Sequence, residues 1–131
     1  MSEHFNMSEQ TIEQLATDIF NWLVDKELWQ DVNIYFNGIC WSTLSQDHKE
    51  FCYYERRYFS FPDDPKKYFE YVRDPNILSM SFEGPLYEVL NAYVHGWEKL
   101  EAELLAIFEK YSLYFELGNA WNLTEIGRAH V

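Results

Sequence analysis

The sequence is poor in the residues that build recognisable catalytic and metal sites. Its 131 residues include 2 cysteines and 4 histidines, with no C-x-x-C and no H-x-x-x-H pair to bind zinc. It has neither a glycine-rich phosphate-binding loop nor a nucleophile elbow. Either cysteine could in principle form a nucleophile–base pair with His48 or His95, but both cysteines fall in segments that we expect to be buried strands. We therefore predict no enzymatic activity, no catalytic residue, no metal site and no cofactor.

Long apolar runs are missing as well. No stretch reaches the roughly 18 apolar residues that a membrane-spanning helix needs. The first residues lack the basic segment followed by an apolar stretch that marks a secretory signal. The small number of cysteines fits free thiols in a reducing compartment. We expect a cytoplasmic protein that does not bind a membrane.

Basic residues are few compared with acidic ones. Lys and Arg number 10 against 22 Asp and Glu, which gives a formal net charge of −12. Such a charge repels nucleic-acid backbones and anionic lipid surfaces, and it attracts basic macromolecules. We expect a basic protein as the partner and no direct binding of nucleic acid. The alternative is that the acidity only keeps the chain in solution.

Aromatic residues, by contrast, are plentiful and make up 19% of the chain. The core of one small domain cannot completely bury 10 Tyr, 10 Phe and 5 Trp. Rings that stay half-exposed suit a protein interface, because they combine apolar area with a polar atom. The alternative is that the tyrosines merely cover sheet faces, where they are generally favoured.

Apolar spacing predicts two long helices. A helical repeat begins at Ile12, with Ser8 or Thr11 as the N-cap, and should run to about Lys26. A second repeat covers residues 97–111 and presents a broad apolar stripe. Each stripe needs another apolar surface to cover it.

A hairpin follows the first helix. Residues 32–36 alternate between apolar and polar side chains, and residues 39–41 form the returning strand. Between them stands Asn37-Gly38, the strongest short-range turn signal, because both positions tolerate a positive φ.

A third strand is expected over residues 50–59, after a polar loop. A turn centred on that loop would place Cys40 opposite Cys52 and Trp41 opposite Phe51. Aromatic pairs of this kind stabilise neighbouring strands.

The rest of the chain completes a sheet. The further elements that we predict are short helices over 66–73 and from Pro85, strands over 77–82 and 113–117, and a turn at Gly118 and Asn119. The prediction is an α+β fold, with an antiparallel sheet of four to five strands and the N-terminal and C-terminal helices packed on one face.

The last six residues, 126–131, break the pattern of the preceding chain. They match the in-frame translation of a sequencing adapter, ATC GGA AGA GCA CAC GTC, whose next codon is a stop. We therefore expect one α+β domain over residues 1–125 that is cut short at its C-terminus, and a non-native tail over 126–131.

Acidic and aromatic residues are interleaved in the middle of the chain. Carboxylates would steer a basic partner and pair with its Lys and Arg, while the rings would anchor it. The partner-binding residues that this pattern predicts are Asp63, Asp64, Glu70, Asp74, Glu83, Glu88, Tyr54, Tyr58 and Tyr68. The alternative for the Asp63-Asp64 pair, which stands between two prolines, is a turn. Two basic pairs, at 56–57 and 66–67, fit an acidic face less well unless nearby acids neutralise them.

The layout resembles small bacterial immunity proteins of polymorphic-toxin and contact-dependent inhibition systems, including the YezG-like antitoxins. The shared features are the helix and hairpin over 11–41, the tyrosine-rich acidic middle, the helix over 97–111 and the aromatic strand over 113–117 followed by Trp121. The resemblance implies an inhibitor that binds one cognate toxin, often a nuclease, and masks its active site.

Three other functions share some of these features. A nucleic-acid mimic of the kind that phages encode would also be acidic, and it would array carboxylates at the spacing of phosphates along one face. A small enzyme with an unfamiliar site would show a cleft with converging polar groups. A structural subunit would dock an acidic face on a basic neighbour.

Overall fold

The structure is a computed structural model that describes residues 8–68 and 77–127. Within these ranges three helices lie against a six-stranded antiparallel sheet. The helices are α1 (Glu9–Asp25), α2 (Pro85–Leu90) and α3 (Trp97–Glu109). The strands are β1 (Val32–Phe36), β2 (Ile39–Ser42), β3 (Phe59–Pro62), β4 (Ser79–Phe82), β5 (Leu113–Asn119) and β6 (Asn122–Gly127), in the spatial order β3-β2-β1-β4-β6-β5. Among the helices described, none has the length and apolar character that a membrane crossing requires.

The predicted first helix is confirmed, and Ser8 is its cap. The Ser8 side chain accepts a hydrogen bond from the Thr11 backbone N–H at 3.0 Å, which satisfies one of the free donors of the first turn. The apolar repeat is buried at Leu15 and Ile19, and the helix ends one residue before Lys26. The helices predicted from Pro85 and over 97–111 are confirmed as α2 and α3. Of the helix predicted over 66–73, the described residues contain a single 3-10 turn, Pro65–Lys67.

The predicted hairpin is confirmed as β1 and β2. Asn37 and Gly38 have φ values of 52° and 79°, the left-handed pair that a type I′ turn needs. This turn fixes the register, in which Ile34 faces Trp41 and Tyr35 faces Cys40.

The third strand was predicted in the wrong place. It begins at Phe59, so that Cys40 faces Phe61, whereas the prediction had placed Cys40 opposite Cys52. Trp41 lies opposite Ser60 and stacks on the Tyr58 ring at 4.1 Å between centroids.

The backbone between 43 and 58 explains the error. The Cys52 N–H donates to the Thr43 carbonyl at 2.9 Å, and Leu44 forms one isolated bridge with Phe51. Tyr54 then adopts a φ of 62°, which no extended strand can accommodate. The chain therefore leaves the sheet after one bridge and returns to it at β3.

A sixth strand was missed, and the predicted four to five strands are too few. The turn expected at Gly118 and Asn119 is wrong, because β5 continues through Asn119 and the chain reverses at Ala120 and Trp121. The Asn122 side chain closes this turn by accepting the Asn119 N–H at 2.9 Å. β6 then runs between β4 and β5.

β6 includes the first two residues of the predicted non-native tail. Ile126 pairs with Tyr114 and Gly127 with Leu113. Residues 128–131 lie outside the described ranges. The origin of the tail stays a prediction, since strand pairing does not depend on where a residue comes from.

The two faces of the sheet differ in chemistry. One face carries Ile34, Trp41, Met80 and Leu123, which join the three helices in a single buried cluster. Packing of the helices on this face accounts for the α+β arrangement predicted from the apolar stripes. The opposite face, which we call the open face, is mostly polar and leaves room for a cleft.

Candidate binding surface

The open face carries a row of small polar side chains across four strands. Ser42, Asn33, Ser81 and Asn122 are register neighbours on β2, β1, β4 and β6. The Asn33 side-chain amide donates to the Ser81 hydroxyl at 3.0 Å. Ser42, Asn33 and Ser81 line a cleft of about 520 Å³. Antiparallel sheets commonly leave such a face solvated, so the polar row alone does not define a site.

One end of this cleft holds Asp63 against two tyrosines. The Tyr68 hydroxyl donates to the Asp63 carboxylate at 3.3 Å, and the Tyr68 ring lies 5.9 Å from that of Tyr35. Burial, followed by the charge of Asp63, raises the pKa of the Cys40 thiol to about 12. Burial also raises the pKa of Tyr35 above its ordinary value. Neither Cys40 nor Tyr35 ionises near neutral pH, so this end does not offer a thiolate nucleophile.

A second surface crosses one end of the sheet, and we call it the acidic aromatic strip. Its residues are Phe51, Tyr53, Tyr54, Asp31, Glu83, Trp121, Tyr87, Tyr93 and Glu88. Its residues come from separate parts of the chain and are joined partly by side-chain contacts and partly by backbone hydrogen bonds. Rings flank the carboxylates Asp31 and Glu83 near its centre, and Glu88 lies at one end.

Contacts join the first half of the strip. The Phe51 and Tyr53 rings are 4.8 Å apart, and the Tyr53 hydroxyl donates to the Asp31 carboxylate at 2.6 Å. That hydrogen bond is the main reason why the pKa of Tyr53 is raised to about 12. The Tyr54 hydroxyl bonds to the side chain of Gln30.

The second half of the strip continues from Asp31. Its carbonyl accepts the Glu83 backbone N–H at 3.1 Å. Glu83, Tyr87 and Trp121 then line one small pocket. The Tyr87 ring stacks on that of Tyr93 at 6.2 Å, and the Tyr93 N–H donates to the Glu88 carbonyl at 2.8 Å.

Gly84 allows the two halves to meet. A Cβ at this position would lie 2.5 Å from the carbonyl oxygen of Gln30, closer than real Cβ atoms approach. Glycine therefore lets the turn between β4 and α2 pack directly on the backbone before β1. This packing brings Glu83 next to Asp31.

The strip concentrates exposed apolar area. Six large apolar side chains are exposed in the described residues, and four of them belong to the strip. These are Phe51 at 62%, Tyr54 at 50%, Tyr93 at 70% and Trp121 at 37%. Contiguous exposed rings of this kind mark interaction surfaces more often than single exposed residues do.

The predicted site residues are divided between several places. Tyr54, Glu83 and Glu88 lie on the strip. Asp63 and Tyr68 lie together at the far end of the cleft. Tyr54 and Tyr68 are exposed, whereas Glu83 is the only one of the five that lines both the cleft and the strip's small pocket.

The other predicted residues do not join either group. The Asp64 side chain accepts the Lys66 N–H at 2.9 Å and caps the 3-10 turn, as the alternative turn interpretation expected. Tyr58 is half-buried and packs on the core through Trp41. Glu70 and Asp74 lie outside the described residues.

The site prediction omitted most of the strip. Phe51, Asp31, Tyr87, Tyr93 and Trp121 were not among the predicted partner-binding residues. Their neighbours on the strip are far away in the sequence, so composition and periodicity carry no signal that groups them. The exposed ring of Trp121 follows from the turn between β5 and β6, which was itself not predicted.

Nearby acidic side chains pair with most of the residues in the two basic pairs, 56–57 and 66–67, which fitted an acidic face less well. Arg56 bonds to Asp25, and Arg57 pairs with Glu55 at 3.2 Å. The Lys67 ammonium lies 3.9 Å from the Asp63 carboxylate. These exposed pairs contribute little to stability. They do reduce the positive potential that the two basic pairs would otherwise present.

Comparison with known proteins adds no family. No family model matches the chain, and no curated protein or solved structure matches it either. Within residues 8–68 and 77–127, no three His, Cys, Asp or Glu side chains come together as a candidate metal site. A function must therefore be argued from the cleft, the strip and the charge.

Proposed function

We propose that this chain is a non-enzymatic binding protein that neutralises a cognate basic toxin domain by covering its active site. A nuclease domain is the class whose basic active site suits the charge of this chain best. In this proposal the chain acts as an immunity protein in the bacterial cytoplasm. The observation that carries the proposal is the acidic aromatic strip.

The strip has the two components that a tight interface with a basic protein needs. Exposed rings such as Tyr93 and Trp121 provide anchors that become buried on binding. Carboxylates such as Glu83 and Glu88 steer a positive partner and pair with its side chains. The net charge of −12 extends this attraction beyond contact distance.

The strip favours a protein partner over the mimicry of nucleic acid. Its three carboxylates lie among six rings, and the neighbouring pair Asp31 and Glu83 has rings on both sides. A mimic needs a regular row of negative groups. Large aromatic anchors are instead typical of protein interfaces.

Co-expression in bacteria tests the proposed function. The open reading frame directly upstream of the gene should encode a protein with a basic C-terminal domain. We expect that domain to stop growth when it is expressed alone, and growth to be restored when this chain is expressed with it. Unchanged toxicity in the presence of folded protein would count against the immunity function.

Charge reversal on the strip should weaken the complex with that domain. Because Glu83 and Glu88 are exposed, Glu83→Lys with Glu88→Lys should raise Kd about 10- to 100-fold, mainly through slower association. The Kd of the double variant should also depend less steeply on NaCl concentration. Surface plasmon resonance at several NaCl concentrations measures both effects.

A matched control separates the strip from net charge. Glu13→Lys with Glu116→Lys makes the same change in charge at exposed positions outside the strip. We expect Kd to rise no more than about threefold, since charges away from an interface act only through the screened field. Equal losses in the two double variants would mean that charge matters and the strip does not.

A further inference from the structure

Three residues line a small surface pocket in the middle of the strip. Glu83 follows β4, Tyr87 lies in the first turn of α2, and Trp121 belongs to the turn between β5 and β6. The pocket measures about 290 Å³. This volume is just below the range of pockets that hold cofactors and drug-sized ligands. It suits a single side chain of a partner.

The lining of the pocket selects for a cation with an apolar stem. Two aromatic residues and one glutamate line the space, and no Lys or Arg of the described chain lines it. Ring faces attract cations, and a carboxylate completes an ion pair. A neutral apolar occupant would bring the Glu83 carboxylate against apolar surface without a partner, which is unfavourable.

Contacts behind the pocket hold its walls in place. The Phe82 N–H donates to the Trp121 carbonyl at 2.8 Å, and the Asn91 side chain donates to the Ala120 carbonyl at 2.8 Å. The Tyr93 ring stacks on that of Tyr87. A pocket that is already formed lowers the entropic cost of binding.

Arginine fits this lining better than lysine. Its guanidinium is planar, stacks on aromatic faces, is weakly hydrated and can present two parallel N–H groups to one carboxylate. Lysine carries a compact and strongly hydrated charge, which has to lose more water to lie between two rings.

We infer that the pocket formed by Glu83, Tyr87 and Trp121 receives an arginine side chain of the basic partner. The guanidinium pairs with Glu83 and lies against the faces of the two rings. This inference rests on the proposed function and names the residue by which the partner is anchored. It can also be tested without the partner.

Titration with N-acetyl-arginine methylamide, followed by NMR of the ¹⁵N-labelled full chain, provides the test. The Trp121 indole signal is identified by its loss in Trp121→Phe. We expect this signal and the Gly84 amide signal to shift in a saturable way, with a Kd on the order of 1 mM, as for a small ligand held by one ion pair and two rings. The citrulline counterpart has the same shape without the charge and should produce no saturable shift.

Two variants define the site. Glu83→Gln keeps the size of the side chain and should weaken arginine binding at least about tenfold, as loss of a paired charge predicts. Glu116→Gln removes an equal charge at an exposed position outside the strip and should change Kd less than about twofold. The spectrum of each variant without ligand confirms that it is folded.

Several results would overturn the inference. These are equal binding of citrulline, tighter binding of the lysine counterpart, an unchanged Kd for Glu83→Gln, or no saturable shift up to about 50 mM, a concentration far above the expected Kd. Such a result leaves the co-expression test unaffected, because the strip could bind a partner without this pocket. Conversely, arginine binding by a chain that does not protect cells would support the pocket and reject the immunity function.

Discussion

Gly84→Ala is expected to lower the free energy of unfolding by about 2–3 kcal/mol, the upper part of the range for forcing extra volume into a packed site. The added Cβ would meet the Gln30 carbonyl oxygen at 2.5 Å and its carbonyl carbon at 3.3 Å. Both are backbone atoms, so no side chain can rotate to make room. The turn between β4 and α2 must then move away from the start of β1.

Urea unfolding followed by tryptophan fluorescence measures this loss. Gly38→Ala is the control, because a Cβ there has nothing within 4 Å and its cost comes only from a φ of 79°. That variant should lose about 1 kcal/mol through its left-handed backbone. A Gly84→Ala loss no larger than this would show that the turn relaxes easily.

The same substitution should affect the strip. Glu83 is held beside Asp31 by a backbone hydrogen bond of 3.1 Å. If the turn moves, Glu83 and Tyr87 move relative to Trp121, and the pocket between them changes shape. We therefore expect arginine binding to weaken in Gly84→Ala while the protein is still folded at low denaturant.

The stability of the protein is expected to fall as the pH rises through 7, because of Glu125. This half-buried carboxyl accepts the Leu78 N–H at 2.7 Å, and burial raises its pKa from 4.5 to about 7. The folded state therefore holds a proton that the unfolded state releases above about pH 4.5. Between that pH and about 8 the free energy of unfolding falls by on the order of 2 kcal/mol. This is less than a fully buried carboxyl would cause, because Glu125 is only half-buried.

Glu125→Gln should remove most of this pH dependence. The glutamine carbonyl can still accept the Leu78 N–H, and it never becomes charged. The variant should match the parent near pH 4 and exceed its free energy of unfolding by about 2 kcal/mol at pH 8. Chemical unfolding curves at a series of pH values measure the difference.

A control is needed because the whole chain is acidic. General repulsion among its carboxylates also grows with pH and is relieved slightly by any loss of negative charge. Glu116→Gln removes an exposed charge on the neighbouring strand β5 and reports this background. If both variants showed the same slope of stability with pH, the buried carboxyl would not be the cause.

Local signals explain which elements were predictable. The helix after Ser8 needs only an N-cap and an apolar repeat, both of which are contiguous in the sequence. The hairpin at Asn37 and Gly38 needs only two residues that accept a positive φ. Such elements form from interactions between near neighbours, so the sequence displays them directly.

The wrong predictions concern segments whose conformation depends on contacts between residues far apart in the sequence. Residues 50–58 have the aromatic content of a strand, yet a positive φ at Tyr54 and the stacking of Tyr58 on Trp41 take them out of the sheet. The turn after Asn119 depends on the Asn122 side chain, which accepts a hydrogen bond from the Asn119 backbone N–H. Neither arrangement produces a periodic pattern in the sequence.

The candidate site also combines features that the sequence determines with features that only tertiary contacts determine. The amino-acid sequence by itself determined a net charge of −12, a surplus of aromatic rings, and the helices and hairpin that depend on near neighbours. Only the tertiary structure decided that Asp31, Glu83 and Trp121 lie together while Tyr58 supports the core. The physical reason is that a surface is assembled by packing, here of Gly84 on the backbone of Gln30, and packing joins residues irrespective of their distance along the chain.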